Sequence, residues 1–156
     1  MLGAFVKTTP KKSYSSHILV LLQGIFLLLC FFPVGWYNAG SPWFLLLCAS
    51  GAALGLVVLY YNRPRNFSVY PEVRDGAILI TDGPYRYIRH PMYTALITMM
   101  VGIACYNGHW INYVGAIGIV MVVTTKAFRE ERLLAETFPE YEPYKSGTKR
   151  FVPYFL

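Results

Sequence analysis

Eleven consecutive residues, Gly83-Pro84-Tyr85-Arg86-Tyr87-Ile88-Arg89-His90-Pro91-Met92-Tyr93, set three tyrosines, two arginines, a histidine and two prolines between strongly apolar segments. Arg89 and His90 are charge-assisted donors for an anion. Tyr85, Tyr87 and Tyr93 offer aromatic faces that stack on a flat ring or contact a cation. Pro91 suits the first turn of a helix, where its missing N–H costs nothing, and a helix start with unsatisfied N–H groups can hold a carboxylate or phosphate. Further along, Glu130 and Glu131 are adjacent carboxylates, either of which can pair with a ligand ammonium. A ligand with an acidic end, a basic end and a flat heterocycle would use all of these groups. S-adenosylmethionine has that composition, and its sulfonium adds a further cation.

The elements that must position these residues are set by composition. The chain has 156 residues, 55% hydrophobic and only 14% charged, whereas a soluble domain carries about 25% charged residues. Four apolar runs cover 18–36, 43–61, 91–106 and 110–127. A spanning helix needs about 20 apolar residues to cross ~30 Å of hydrocarbon, so the third run is short: at 1.5 Å per residue it reaches only ~24 Å. Backbone polar groups in lipid must be satisfied internally, which makes helices the economical reading of all four. The expected fold is all-α, a polytopic membrane protein of about four transmembrane helices. The middle loop 62–90 and the tail 128–156 would form a small cytoplasmic cofactor-binding region, all in one domain over 1–156.

Orientation follows from charge. Lys7, Lys11 and Lys12 precede the first run; Arg63, Arg65, Arg74, Arg86 and Arg89 lie between the second and third; the remaining Lys and Arg end or follow the fourth. The segments 38–42 and 107–109 carry no Lys, Arg, Asp or Glu. The positive-inside rule puts both termini and the middle loop in the cytoplasm, with Trp36, Trp43, Tyr106 and Trp110 marking the opposite interface. The first run reads as a retained span, because Phe31-Phe32-Pro33-Val34 is bulky where a signal peptidase needs small residues. Cys30, Cys48 and Cys105 sit inside apolar runs, read as free buried thiols, and show no disulfide or metal spacing.

Within the cytoplasmic part, 77–81 is a short extended or β-prone run closed by the turn signal Asp82-Gly83-Pro84. The third helix starts at Pro91 with His90 at its mouth. The fourth helix continues out of the membrane over 126–137 until Phe138-Pro139 ends it, and 148–153 closes the chain in an extended or turning conformation. Gly51, Ala52, Ala53 and Gly55 in the second run allow close helix packing.

The stretch 83–93, with Arg129-Glu130-Glu131-Arg132-Leu133-Leu134 after a helical hairpin, resembles the isoprenylcysteine carboxyl methyltransferase family. Phe138, Tyr141, Tyr144 and Lys149-Arg150-Phe151-Val152-Pro153 look like that family's ending, and the related phospholipid N-methyltransferases share the Glu-Glu element. The resemblance covers about 78–155. It implies an S-adenosylmethionine site with backbone contacts from 77–80, including Leu79 and Ile80. It also implies side-chain contacts from Tyr85, His90, Pro91, Tyr93 and Glu130, and in looser register from Tyr70. Family members that act on prenylcysteine bind the substrate carboxylate through an arginine where this chain has Lys126, which keeps the charge but loses the bidentate fork.

The implied activity is direct methyl transfer to a lipid-like or membrane-partitioning carboxylate, amine or thiol that enters sideways from the bilayer. Positioning and desolvation would dominate such a step. Arg89, Arg129 and Glu131 are the expected catalytic residues, the arginines or Lys126 anchoring an anionic acceptor and Glu131 taking a proton from an amine. No nucleic acid and no metal is expected as a partner, and the oligomeric state is open. Singly, these residues also fit plainer roles: positive-inside arginines, belt tyrosines, a solvated Glu130 paired with Lys126 four residues earlier, and Lys145 and Lys149 near anionic headgroups. Two rival functions are a small transporter, for which Gln23 and Thr98 are thin material, and a non-enzymatic adaptor with a basic cytoplasmic face.

Overall fold

The computed structural model describes residues 14–32, 40–62, 69–71 and 77–153. Among them the chain is all-helical, with α1 (Tyr14–Phe31), α2 (Phe44–Tyr61), α3 (Pro91–Asn107), α4 (Trp110–Thr137) and α5 (Tyr141–Gly147), a 3₁₀ turn at Gly83–Arg86, and no strand. Three helices, α1, α2 and α4, are long and apolar enough to cross a membrane. With 17 residues, α3 extends ~26 Å, a little more than the apolar run implied. The basic residues at 7, 11, 12, 63, 65 and 74, and Trp36, lie outside the described residues.

The helices pack as antiparallel pairs. α2 lies mainly on α3, α1 mainly on α4, and the hairpin α3–α4 joins the two. Small residues let the backbones touch: a Cβ on Gly51 would meet Met99 N at 2.6 Å, and one on Gly102 would meet Cys48 N at 2.6 Å. Gly115 sits against Cys30 N in the same way, at 2.7 Å. This is the close approach expected where lipid provides no hydrophobic drive between helices. Of the small residues singled out in α2, Gly51 and Gly55 face α3, while Ala52 and Ala53 are exposed. Ile18, Leu21, Ile25 and Leu28 on α1, and Ile117 and Met121 on α4, point outward, as lipid-facing side chains do.

α1 is displaced toward the N-terminus relative to the apolar run 18–36. Its polar start, Tyr14-Ser15-Ser16-His17, is helical, and the helix closes at Phe31, two residues before Pro33, which has no N–H to give the Leu29 carbonyl. Buried Asn112 takes that role: its Nδ2 donates to Leu29 O (2.9 Å), Cys30 O (3.0 Å) and Phe32 O (2.7 Å). Asn107 adds a bond to Cys30 O at 3.0 Å. The α3–α4 turn is as tight as its residues suggest, with Gly108 in the left-handed region at φ 71° and His109 Nδ1 accepting from Ile111 N at 3.3 Å. Cys30 is buried, Cys48 and Cys105 half-buried, and all three are free.

α4 runs unbroken to Thr137 and stops before Pro139, as the sequence indicates. Its charged last third carries the site residues away from the apolar part. The segment 77–81 forms neither a helix nor a strand. α5 is an addition to the sequence reading, which assigned no element to 141–147.

Candidate functional site

The tail returns to the mouth of α3 and pairs with it over a few residues. Ile88 and Lys149 form an isolated parallel bridge. Lys149 N donates to Tyr87 O (3.2 Å), Arg89 N to Lys149 O (2.7 Å) and His90 N to Arg150 O (3.0 Å). Thr94 Oγ1, one turn into α3, donates to Phe151 O at 2.7 Å. Each segment thereby satisfies part of the other's backbone groups. The preceding turn is anchored from two sides. Gly83, at φ 59°, lies so close to the Tyr61 ring that a Cβ there would fall 2.6 Å from it, and Tyr144 OH donates to Tyr85 O at 2.7 Å.

This stitching sets His90 between the two glutamates. Its Nδ1 lies 3.5 Å from Glu130 Oε2 and its Nε2 3.3 Å from Glu131 Oε1. The ring stacks on Tyr93 with centroids 5.5 Å apart, and Tyr93 OH donates to Glu130 Oε1. Glu131 is nearly saturated: Arg89 Nε (3.0 Å), His90 Nε2 and Arg150 Nε (2.9 Å) converge on Oε1, and Arg150 Nη2 holds Oε2 at 2.8 Å. Arg89 also donates through Nη1 to the carbonyls of Lys145 (3.1 Å) and Thr148. The Arg150 guanidinium covers the Phe128 ring at 4.0 Å, a favourable cation–π distance.

The electrostatics separate the two carboxylates. Burial would raise the Glu131 carboxyl, but the hydrogen bonds from Arg150, His90 and Arg89 hold it far below the usual carboxylate range. Burial disfavours a charged His90, yet Glu130 and Glu131 outweigh it and raise its pKa above the ordinary value. Burial, and then the charge of Glu130, push the Tyr85 phenol up to about 12, so it remains a neutral donor. Glu130 differs from Glu131 in access: its side chain is 22% exposed against 6%. Glu130 is thus the carboxylate that a cation can reach.

Not every expected site residue joins this cluster. Tyr85, His90, Pro91, Tyr93, Arg89, Glu130 and Glu131 come together. Leu79 and Ile80 are half-buried in the run before the turn. Arg129 points away along α4 and donates to Ser15 Oγ at 2.5 Å on α1. Lys126 is 1% exposed, its Nζ donating to Gln23 Oε1 (2.5 Å) and Val69 O (2.8 Å). Tyr70 stands edge-on to His17, with centroids 5.1 Å apart. The N–H groups of α3 are also less available than its start suggests: Pro91 has none, and those of Tyr93 and Thr94 bond to His90 O. Anion binding at this mouth would fall to side chains rather than to the helix end.

Three contributors were given no role at the site by the sequence reading: Arg150, named as a tail cation and as part of the family-like ending; Gln23, named only as thin material for a transporter; and Thr94. Gln23 carried a usable signal, since an amide inside an apolar helix must find a partner across a helix interface. Arg150 carried a weaker one, because a buried carboxylate needs more than one cation.

The profile of the phospholipid methyltransferase family matches residues 44–141, from α2 to the start of α5. Among similar proteins, the cobalt-zinc-cadmium resistance protein CzcN of Cupriavidus metallidurans is 29% identical over 114 residues, covering 72% of this chain and 50% of that protein. The nickel-cobalt-cadmium resistance protein NccN of Alcaligenes xylosoxydans xylosoxydans is 29% identical over 87 residues, covering 55% and 41%. The chain spans about half the length, or less, of these curated relatives. With the family match extending over more than half of its residues and its helices apolar enough for a bilayer, the chain belongs to the phospholipid methyltransferase family.

Proposed function

We propose that this chain is an integral membrane methyltransferase that uses S-adenosylmethionine and acts on a lipid-like acceptor. The observation that carries the reading is Glu130, a partly exposed carboxylate held by Tyr93 and His90 at the mouth of α3. The donor set fits the cofactor: a carboxylate for its ammonium, a neutral Tyr85 phenol beside it, and aromatic faces for its ring. When bound, the cofactor supplies an electrophilic methyl group to the acceptor.

The chain's own residues would then act by placement. Glu130 holds the cation, Tyr93 and His90 fix the carboxylate's orientation, and Pro91 starts the helix that carries Tyr93. Leu79 and Ile80, half-buried just before the turn at Gly83, would supply backbone contacts to the cofactor. Glu131 is reassigned from proton acceptor to ion-pair centre, because a carboxylate bound by three cations is a weak base. Arg89 likewise serves the fold of the tail more than an acceptor. Lys126, tied to Gln23 and Val69, and Arg129, tied to Ser15, mark the α1 side, where an anionic acceptor group would have to displace their present partners.

In this reading the chain is one domain. α3, packed along α2, crosses with the other three helices, and the basic loop and tail put the site in the cytoplasm. The acceptor's apolar part stays in lipid while its head reaches the site. The relatives' names concern resistance to metals, and the acceptor proposed here does not depend on them.

Calorimetry of the detergent-solubilised protein with S-adenosylmethionine tests the reading. Binding is expected for the wild type and a sharp loss for Glu130→Ala. Equal affinity in the two proteins would remove Glu130 from the site, and no binding to the wild type would remove the cofactor.

A further inference from the structure

Two adjacent carboxylates face one histidine, yet the proposed ligand needs only one of them. Glu131 is gripped by three residues, of which only Arg150 reaches both oxygens, at 2.9 and 2.8 Å. Arg89 and His90 both use Oε1, so the plane of the carboxylate is set by Arg150. Arg150 is itself held, its guanidinium 4.0 Å above the Phe128 ring and its backbone carbonyl accepting from His90 N. The same residue therefore fixes His90 twice, through the backbone and through Glu131.

We propose that Arg150 is a positioning residue of the cofactor site, holding the His90 ring bridged between Glu131 and Glu130, so that His90 orients Glu130 without closing on it and leaves it open to the ligand's cation. This rests on the reading of Glu130 as the ligand-facing carboxylate. Without the Arg150 fork, the Glu131 carboxylate can rotate and its bond to His90 loosens. His90 Nδ1 is already 3.5 Å from Glu130 Oε2, so the protonated ring closes on Glu130 and competes with the ligand. The charged and titratable groups around His90 are Glu130 and Glu131 from α4, Arg89 from the loop, Arg150 from the tail and Tyr93 from α3. Tyr85 stands beside Glu130, and Tyr141 beside Glu131.

The test compares wild type, Arg150→Gln and Arg150→Lys in two measurements: NMR titration of the histidine rings without ligand, and calorimetric affinity for S-adenosylmethionine across pH. In Arg150→Gln, His90 is expected to keep its proton to higher pH than in the wild type, because a nearby positive charge is gone. Cofactor affinity is expected to fall about tenfold while His90 is protonated, in line with the loss of a charged hydrogen bond, and to recover as the ring deprotonates. Arg150→Lys restores the His90 titration but only part of the affinity, since the fork is lost.

A purely structural Arg150 would lower thermal stability and leave a pH-independent affinity deficit, which would overturn the proposal. An unchanged His90 titration together with unchanged affinity would overturn it as well. If the wild type binds no cofactor, the proposed function fails, and the His90 titration alone then decides whether Arg150 controls the ring. If Arg150→Gln does not fold, Arg150→Lys decides: wild-type affinity in that variant overturns the role of the fork.

Discussion

Lys126 Nζ lies 2.5 Å from Gln23 Oε1, joining the middle of α1 to α4 through a part-buried ammonium–amide contact. Removing one partner of such a pair costs more than removing both, because the survivor loses its solvation without compensation. Gln23→Leu is therefore expected to destabilise the protein by ~1–3 kcal/mol. The double variant Gln23→Leu/Lys126→Met should recover much of that loss. Thermal unfolding in detergent measures both, and a double variant no more stable than the single would show that Lys126 does not depend on Gln23.

Tyr93 OH donates to Glu130. Tyr93→Phe keeps the ring stacked on His90 but frees one carboxylate oxygen, and cofactor affinity is expected to fall roughly tenfold, as for one hydrogen bond to a charged group. Glu130→Gln, which keeps the shape and loses the charge, should cost more. If Tyr93→Phe proved the more damaging of the two, the ring rather than the carboxylate would be the main contact.

The site makes stability depend on pH in two directions. The Glu131 carboxyl lies below its ordinary range. Its contribution is therefore present above the unfolded value of ~4.3 and is lost as pH falls through the lower folded value. The His90 pKa is raised, so its contribution is complete below ~6.5 and is lost as pH rises through the higher folded value. The melting temperature should therefore be highest between these limits. Glu131→Gln should flatten the acid side, and a variant with an unaltered acid slope would rule Glu131 out as its source.

The α2–α3 contact allows no side chain at Gly51. A Cβ there would lie 2.6 Å from Met99 N and 2.8 Å from Ala95 O, both backbone atoms that cannot move aside cheaply. Gly51→Ala is expected to destabilise by ~1–3 kcal/mol, as overpacking does. At Gly24 nothing lies within 4 Å, and Gly24→Ala should instead stabilise by up to ~1 kcal/mol through helix propensity. Equal melting temperatures for the two variants would contradict the close helix contact.

Asn112 donates to three carbonyls at the end of α1. Asn112→Leu leaves them without that donor in an apolar setting, with an expected loss of ~1–3 kcal/mol. Hydrogen exchange should then report fraying at the C-terminal turn of α1 before any other helix. Uniform loss of protection would point to a different role.

Much of the helical arrangement was legible in the chain. α2 and α4 follow their apolar runs closely, because 3.6-residue packing in lipid leaves no alternative for such segments. The end of α4 before Pro139 and the turn at Gly108 follow from local chemistry that needs no distant partner. α1 was harder to place, since its polar first turn, with Ser16 buried, has no apolar signature. α5 was not legible at all: Tyr141-Glu142-Pro143-Tyr144 contains a proline and is too short for a periodic signal. Within the site, Tyr85, His90, Tyr93 and Glu130 were recognisable by type and order. The partners of Lys126 and Arg129 were not, because both cations turn toward α1 and nothing local records that direction.

By itself the sequence determined the apolar helices, the polar stretch 83–93 at the start of one of them, and the two adjacent glutamates at the end of another. These depend on residue type and on spacing along the chain. Only the tertiary structure decided which glutamate is accessible and which is spent on cations. That choice is made by Arg150, which arrives from the tail and closes on Glu131. Two neighbours on a helix point about 100° apart, so identical side chains meet different surroundings, and those surroundings divide their roles.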